Sequence, residues 1–392
     1  MIQKVFFILI SLLLIPDLYI YKVFIVKSTE SPVLRGLYLL PSLLFLIGII
    51  WLTFFGGGKL MSEKSQIIGW FILAYMLFVF PKLIFFLCSL LDFPLRFLLK
   101  STATPFCWIG IILAIGMAGC ILYGAFVGKT KFDVKEIAFR SPDIPDAFNG
   151  YRIIQLSDIH IGSWKGNQEA LQEAVRLVNA QQPDLVVFTG DLVNHKADEL
   201  DGFESILSQI KAKDGVYSIL GNHDYGPYYP WKNEQEKAEN LINLEQREAA
   251  IGWKLLNNDH VYLHRGTDSI ALLGVENWGK PPFSGRGNLK KALSGVNENS
   301  FKILLSHNPT HWKAEILPSS DIHLTLAGHT HAMQLAIGQH SPSSWAYPEW
   351  KGMYVENGQS LYVNVGLGFV GMPFRFGAWP EIGVITLEKK KQ

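Results

Sequence analysis

Cysteine and charge are the scarce components of this 392-residue chain. Its three cysteines, Cys88, Cys107 and Cys120, all fall in the N-terminal third, so the C-terminal part has neither a disulfide framework nor a thiolate zinc site. Residues 1–128 carry nine Lys/Arg against four Asp/Glu, and the longer remainder carries 26 against 30. That imbalance excludes one uniform soluble protein. The remainder has no basic excess, so no nucleic-acid partner is expected. Glycine follows no period and no internal repeat is present, which excludes collagen-like and solenoid classes.

What the first part has instead is long apolar runs. No charge interrupts the chain between Arg35 and Lys59 or between Lys100 and Lys129, and each gap exceeds the ~20 residues needed to cross the hydrocarbon core. Leu37–Phe55 and Phe106–Phe126 are expected spans, Ile67–Leu91 is a third with Lys82 inside it, and Val5–Tyr21 is a weaker first one, interrupted by Pro16 and Asp17. Asp17 and Lys82 are read as snorkelling near span ends. Counting flanking Lys/Arg gives six for an inside N-terminus and five for the reverse, so the side facing the cytoplasm stays open. The expected organisation is a multi-pass region at 1–128 in the cell membrane, a linker at 129–149 containing an edge strand at Asp133–Phe139, and a globular domain at 150–388.

Past residue 150, short β-rich runs alternate with amphipathic stretches. Strands are expected at Tyr151–Leu156, Asp184–Thr189, Val216–Leu220, Ser269–Gly274, Lys302–Leu305, Ile322–Leu326, Leu361–Val365 and Ile382–Leu387, with helices at Asn167–Gln181 and Glu199–Ile210. This alternation predicts a layered α/β domain with parallel pairing.

Metal-binding residue types recur just after these strands: Asp158-Ile159-His160, Gly190-Asp191, Gly221-Asn222-His223-Asp224, Ser306-His307 and Gly328-His329-Thr330-His331. Open α/β sheets gather ligands at the carboxyl ends of their strands. The i, i+2 spacing of Asp158 and His160 points both side chains one way if strand geometry persists. Imidazole, carboxylate and amide oxygen together suit Zn, Fe, Mn or Mg. Seven candidate ligands exceed what one ion takes and suit two divalent ions sharing a carboxylate.

These five ordered motifs resemble the signature of the calcineurin-like metallophosphoesterases across residues 150–388. The closing segment from Asn364-Val365-Gly366-Leu367-Gly368 to Pro380-Glu381-Ile382 resembles a bacterial, often membrane-anchored subgroup. The resemblance implies a four-layer αββα sandwich, here following a bundle of about four transmembrane helices. It implies Asp158, His160 and His331 on one metal, Asn222, His307 and His329 on the other, and Asp191 bridging. His223 would act on the leaving oxygen, with Asp224 orienting its imidazole from behind. Members of the subgroup often have Arg where Val365 stands, and Arg375 is the nearest candidate to bind phosphate in its place.

Aromatic residues cluster after two of the motifs: Tyr225, Tyr228, Tyr229 and Trp231, then Trp345, Tyr347 and Trp350. They suit either loop packing or an amphiphilic phosphoester such as a phospholipid or a nucleotide-activated glycolipid. The expected activity is metal-dependent hydrolysis of a phosphodiester, phosphomonoester or pyrophosphate bond. A Ser/Thr protein phosphatase and a non-catalytic membrane scaffold are the alternatives. The remaining histidines, His195 among them, are read as background.

Overall fold

The computed structural model describes residues 2–56, 58, 63–100, 102–279 and 285–390; Lys59, which bounds the second apolar run, lies outside them. Two compact units divide the chain, Met1–Val127 with Gly371–Phe374, and Gly128–Val370 with Arg375–Gln392.

The first unit contains α1 (Ile2–Ile20), α2 (Pro32–Phe55), α3 (Ser65–Leu90) and α4 (Pro105–Phe126). Four stretches built on these helices, Val5–Ser28, Pro32–Phe54, Ser65–Leu95 and Pro105–Thr130, are long and apolar enough to cross a membrane. Pro32 and Pro105 stand at helix starts, where a missing N–H costs nothing. Pro16 does not end α1, which continues through a π-helical turn at Tyr21–Ile25. The snorkelling of Asp17 and Lys82 is not observed. Asp17 is 1% exposed, forms an ion pair with Lys82, and accepts a hydrogen bond from Ser42 Oγ at 2.6 Å. Lys82 Nζ also lies 3.7 Å from the centre of the Phe78 ring. Pairing satisfies two charges that hydrocarbon could not solvate, and it does so between helices rather than at their ends.

The second unit has two six-stranded sheets. One runs β1 (Asp133–Ser141), β12 (Glu381–Lys389), β2 (Arg152–Leu156), β3 (Leu185–Phe188), β4 (Val216–Ser218) and β5 (Trp253–Leu255). The other runs β10 (Gly352–Glu356), β11 (Gln359–Val363), β9 (Leu324–Ala327), β8 (Phe301–Leu305), β7 (Asp268–Gly274) and β6 (Asp259–Arg265). The two-residue period of each strand divides its side chains between separate cores. Ile153, Val187, Ile303 and Leu305 meet in the core between the sheets. Ile154, Val186 and Phe188 face outward under α5 (Gln168–Ala180), while Leu304 packs with Trp312 and Ile316 on the opposite outer face. Helix, sheet, sheet and helix therefore form four layers, and strands buried on both faces are apolar throughout. β2 to β5 are mutually parallel, as are β7, β8, β9 and β11, so their carboxyl ends gather at common edges.

Two differences from the sequence reading have physical causes. The helix expected at Glu199–Ile210 is only Glu204–Leu207, preceded by a 3₁₀ turn at Ala197–Leu200. Gly202 takes a left-handed conformation between them, and the Glu199 carboxylate leaves the helix pattern to accept the N–H groups of Asn194, His195 and Lys196. β5, β6 and β10 were absent from the expected strands because they border their sheets or pair beside an edge, where the apolar pattern is weakest.

Glu248, on α6 (Glu234–Ala250), is wholly buried and accepts the Ser218 hydroxyl of β4 at 2.5 Å. Burial, reinforced by the Asp224 charge, pushes its carboxyl up to about 8 from 4.5. The folded chain thus keeps a proton that the unfolded chain releases, and stability falls as pH rises from about 4.5 through about 8. Glu248→Gln removes that slope. Thermal unfolding of the variant and the parent should diverge between pH 5 and pH 9, the gap moving by about 4 kcal/mol in favour of the variant over that range. A gap that does not change with pH would contradict the buried protonated carboxyl.

Candidate metal centre

Five loops, from β2, β3 and β4 of one sheet and β8 and β9 of the other, meet at the edge formed by their carboxyl ends. Backbone hydrogen bonds lock them together: Asp158 N–H to Gly190 O at 2.9 Å, His160 N–H to Asp191 O at 3.1 Å, and Gly328 N–H to His307 O at 3.0 Å. Gly328 is required by this closeness, because a Cβ there would lie 1.8 Å from Ser157 Oγ and 2.4 Å from Asp158 Oδ2.

All seven residues expected to hold metal come together, in two groups. Asp158 Oδ1 lies 3.2 Å from His331 Nε2, which lies 3.0 Å from His160 Nε2. His307 Nε2 lies 3.2 Å from Asp191 Oδ2, 3.2 Å from Asn222 Oδ1 and 3.2 Å from His329 Nδ1. Asp191 Oδ2 also approaches His160 Nε2 at 3.7 Å, so its carboxylate stands between the groups. The triads Asp158, His160, His331 and Asp191, His307, His329 each bring one ligand atom per residue within 4.8 Å of the others.

The donor set fits cations. Imidazole nitrogens face each other at 3.0 and 3.2 Å, an arrangement that repels unless a proton or a positive ion lies between them. Burial, then the neighbouring His223, holds His160 well below the ordinary imidazole value; burial, then His307, holds His329 down to about 3. Both rings therefore keep a lone pair free. Burial alone would raise Asp158 and Asp191, but His331 and His307 respectively hold them below the usual carboxylate range. Unprotonated imidazoles beside ionised carboxylates are the forms that ligate metals; His307, although burial lowers it, is pushed up to about 9 by the Asp191 charge, so an ion there would replace its Nε2 proton. His307 Nδ1–H donates to Thr189 O at 2.7 Å, which aims Nε2 at the site.

Three sequence readings are corrected. Strand geometry does not persist through Asp158-Ile159-His160: Asp158 (φ 52°) and His160 (φ 46°) are left-handed, and the turn, rather than the i, i+2 alternation, brings both into the site. Asp224 does not orient the His223 imidazole. Its carboxylate is wholly buried and accepts the N–H groups of Asp191, Gly221 and Leu192, each at 2.8 Å, and of Val193 at 3.1 Å. The imidazole is held instead by Asn194, whose carbonyl accepts from His223 Nδ1 at 2.7 Å. Arg375 is neither at the surface nor open to a phosphate. It is wholly buried, and its guanidinium donates to the carbonyls of Gly368 (2.7 Å), Ala378 (2.9 Å) and Val365 (2.9 Å), with Nη2 3.1 Å from His331 Nδ1. A guanidinium never loses its charge under these conditions, so burial commits its donors to nearby oxygens.

The aromatic clusters divide by position. Tyr225 and Trp350 pack inward, while Trp345 is 89% exposed and Tyr228 45%. Two contacts had no motif to announce them. Tyr347 Oη lies 2.9 Å from His329 Nε2, and the Tyr228 ring packs against His223 with centres 4.6 Å apart. Only the clustering of aromatics after the Gly-Asn-His-Asp and Gly-His-Thr-His motifs hinted at them.

Comparison with known proteins places these features in context. The family described as "Calcineurin-like phosphoesterase" matches residues 151–333, and that described as "Probable Calcineurin-like phosphoesterase, transmembrane domain" matches residues 3–129. A "Transmembrane protein with metallophosphoesterase domain" of Danio rerio is 31% identical over 71% of this chain, which spans 62% of that protein's length. The Bacillus subtilis metallophosphoesterase YkuE is 29% identical over 70% of this chain and 92% of its own. The Campylobacter jejuni metallophosphoesterase Cj0846 is 26% identical over 98% of both chains.

Asp224→Asn tests the corrected role. An amide cannot accept at both oxygens, so buried N–H groups in the loops of Asp191 and Gly221 lose their acceptor. The expected cost is about 3 kcal/mol in stability, with reduced metal content by elemental analysis. Full metal content with loss of turnover alone would instead restore the imidazole-orienting role.

Proposed function

Because the chain belongs to the calcineurin-like phosphoesterases and carries their four-span membrane region, we propose that it is a membrane-anchored, dinuclear metal-dependent hydrolase of phosphoester or pyrophosphate bonds. The observation that carries this reading is a pair of ligand triads, one containing Asp191, whose carboxylate also approaches His160 of the other at 3.7 Å. Asp158, His160 and His331 would hold one divalent ion, Asn222, His307 and His329 the other, and Asp191 both. The ligand types suit Mn, Zn, Fe or Mg. When bound, the ions supply Lewis-acid polarisation of the phosphoryl oxygens and lower the pKa of coordinated water.

The chain's own residues do the rest. The Asn194 carbonyl fixes the proton of His223 on Nδ1, which leaves Nε2 to carry the proton given to the leaving oxygen. A His223 ring nitrogen lies within 4.8 Å of a ring nitrogen of His160 and a carboxylate oxygen of Asp191, so the imidazole stands beside the ligands while being anchored from outside them. Asp191 Oδ1 accepts the His223 backbone N–H at 2.8 Å, tying the shared carboxylate to the acid-bearing loop. In this reading residues 1–128 anchor the protein in the cell membrane, 129–149 connect, and 150–388 form the catalytic domain.

An amphiphilic substrate is the class we favour. Met333, Ile337 and Trp345, on the segment between His331 and Tyr347, are 44%, 69% and 89% exposed, an arrangement suited to an acyl chain or a nucleobase beside a reacting phosphate.

The test uses the full chain in detergent, loaded with Mn or Zn, against bis-p-nitrophenyl phosphate, p-nitrophenyl phosphate, a phospholipid and a UDP-linked acyl sugar. His223→Ala should lower turnover by about 10²-fold or more while two ions per chain remain; Asp191→Ala should deplete both. Two bound ions with no hydrolysis of any panel member would overturn the hydrolase reading.

A further inference from the structure

The two ligand groups differ in what lies beyond them. Behind His331 stands Arg375, and Asp158 and His160 are wholly buried. Beyond the ligands on the His307 side stand two tyrosines. Asn222 Nδ2 lies 3.3 Å from Tyr228 Oη, and His329 Nε2 lies 2.9 Å from Tyr347 Oη.

The direction of these hydrogen bonds follows from the ligand geometry. Asn222 turns Oδ1 toward His307 Nε2 at 3.2 Å, so the amide NH₂ faces Tyr228, and an amide nitrogen only donates. His329 turns Nδ1 toward His307 Nε2 at 3.2 Å, on the ligand side, and a nitrogen that binds a cation carries no proton. With a cation held at Nδ1, the proton would sit on Nε2 and be donated to Tyr347. Both phenols are therefore acceptors from a ligand residue and keep their own protons.

A tyrosine phenol keeps its proton at neutral pH. Tyr228 is 45% exposed and its ring packs on His223, so packing alone would be equally served by phenylalanine.

Resting on the proposed hydrolase reading, we infer that Tyr228 and Tyr347 are substrate-binding residues that donate their phenolic protons to the oxygens of the reacting phosphoryl group. A phosphoryl oxygen is an anionic acceptor, and two neutral donors fixed by the ligand residues themselves would recognise it beside the ions. The arrangement would tie substrate recognition to the ligand residues: Asn222 and His329 would each hold an ion through one side-chain atom, and each positions a tyrosine through another.

The test compares Tyr228→Phe, Tyr347→Phe and the double variant, as full chains in detergent with Mn bound. Inorganic phosphate binding is read by calorimetry, metal content by elemental analysis, and KM against kcat with bis-p-nitrophenyl phosphate. Each single variant should bind phosphate about tenfold more weakly and the double variant weaker still, with two ions per chain and the thermal midpoint unchanged. Unchanged phosphate affinity in all three variants would overturn the inference. So would a loss of affinity that appears only with loss of metal, which would reduce Tyr347 to a support for His329. Absence of turnover by the parent protein is a separate failure, of the hydrolase reading, because calorimetry decides the role of the tyrosines without turnover.

Discussion

The site depends on one buried anion. The Asp224 carboxylate takes four backbone N–H groups, three from the loop after β3 and one from the loop after β4, and so sets the distance between the residues that carry Asp191 and Asn222. Burial and then the charge of Asp191 push its carboxyl up to about 7, so four donors are working against a strong desolvation cost. Its geometry is self-consistent: Asp191 gives its N–H to Asp224 and its Oδ1 to the N–H of His223, leaving Oδ2 for His307 and His160. A shift of this staple would move the Asp191 carboxylate and the His223 loop together.

The other sheet is joined to this frame by equally short connections. His307 reaches across to the Thr189 carbonyl, and Asp158 accepts the His329 N–H at 3.0 Å. The closing segment lies over both: Leu367 N–H donates to Ser157 O at 2.9 Å and Gly368 N–H to Asp158 O at 2.8 Å. Gly368 allows that approach, since a Cβ there would lie 2.0 Å from Ile159 O. Arg375 fastens the segment from within by holding three of its carbonyls. His331 to Gln334 form four successive left-handed residues, none of them glycine, between the last ligand and the strand-like bridge of Leu335 with Phe376. Such a run costs on the order of 1 kcal/mol per residue and persists only where its surroundings fix it, as the Phe376 N–H to Gln334 O bond at 2.9 Å does.

The sequence made the ligands legible because each stands directly after a strand, and a strand edge converts order along the chain into proximity in space. That rule collected the candidates, and the resemblance to the calcineurin-like metallophosphoesterases separated the seven proposed ligands from His223 and Asp224. Residues that act through backbone groups were not legible. Asp224 adjoins a histidine in sequence, which suggested a side-chain partnership, yet its partners are N–H groups 31 to 33 residues earlier and that of Gly221. Arg375 looked available because arginine is seldom wholly buried, and only the folded closing segment reveals three carbonyls waiting for it. Asp17 and Lys82 are 65 residues apart, so their pairing is a property of helix packing that no local pattern encodes.

The asymmetry of the two ligand groups limits how a substrate reaches them. Asp158 and His160 have no exposed surface and His331 is 7% exposed, enclosed by the closing segment and by Arg375. His223 and His329 are partly exposed, and they are the groups that Tyr228 and Tyr347 touch. The His223 and His329 edge is therefore the more open one, and on the proposed reading a reacting phosphate entering there would meet the His223 imidazole and the two phenols before the deeper residues. The apolar residues after the Gly-His-Thr-His motif lie on the segment that carries Tyr347, so the part of a substrate beyond its phosphate would pass them on the way out. On the proposed reading, residues 333–347 would contribute both Tyr347 to the phosphate and apolar contacts to what is attached to it, while Tyr228 would reach the phosphate from the loop after β4.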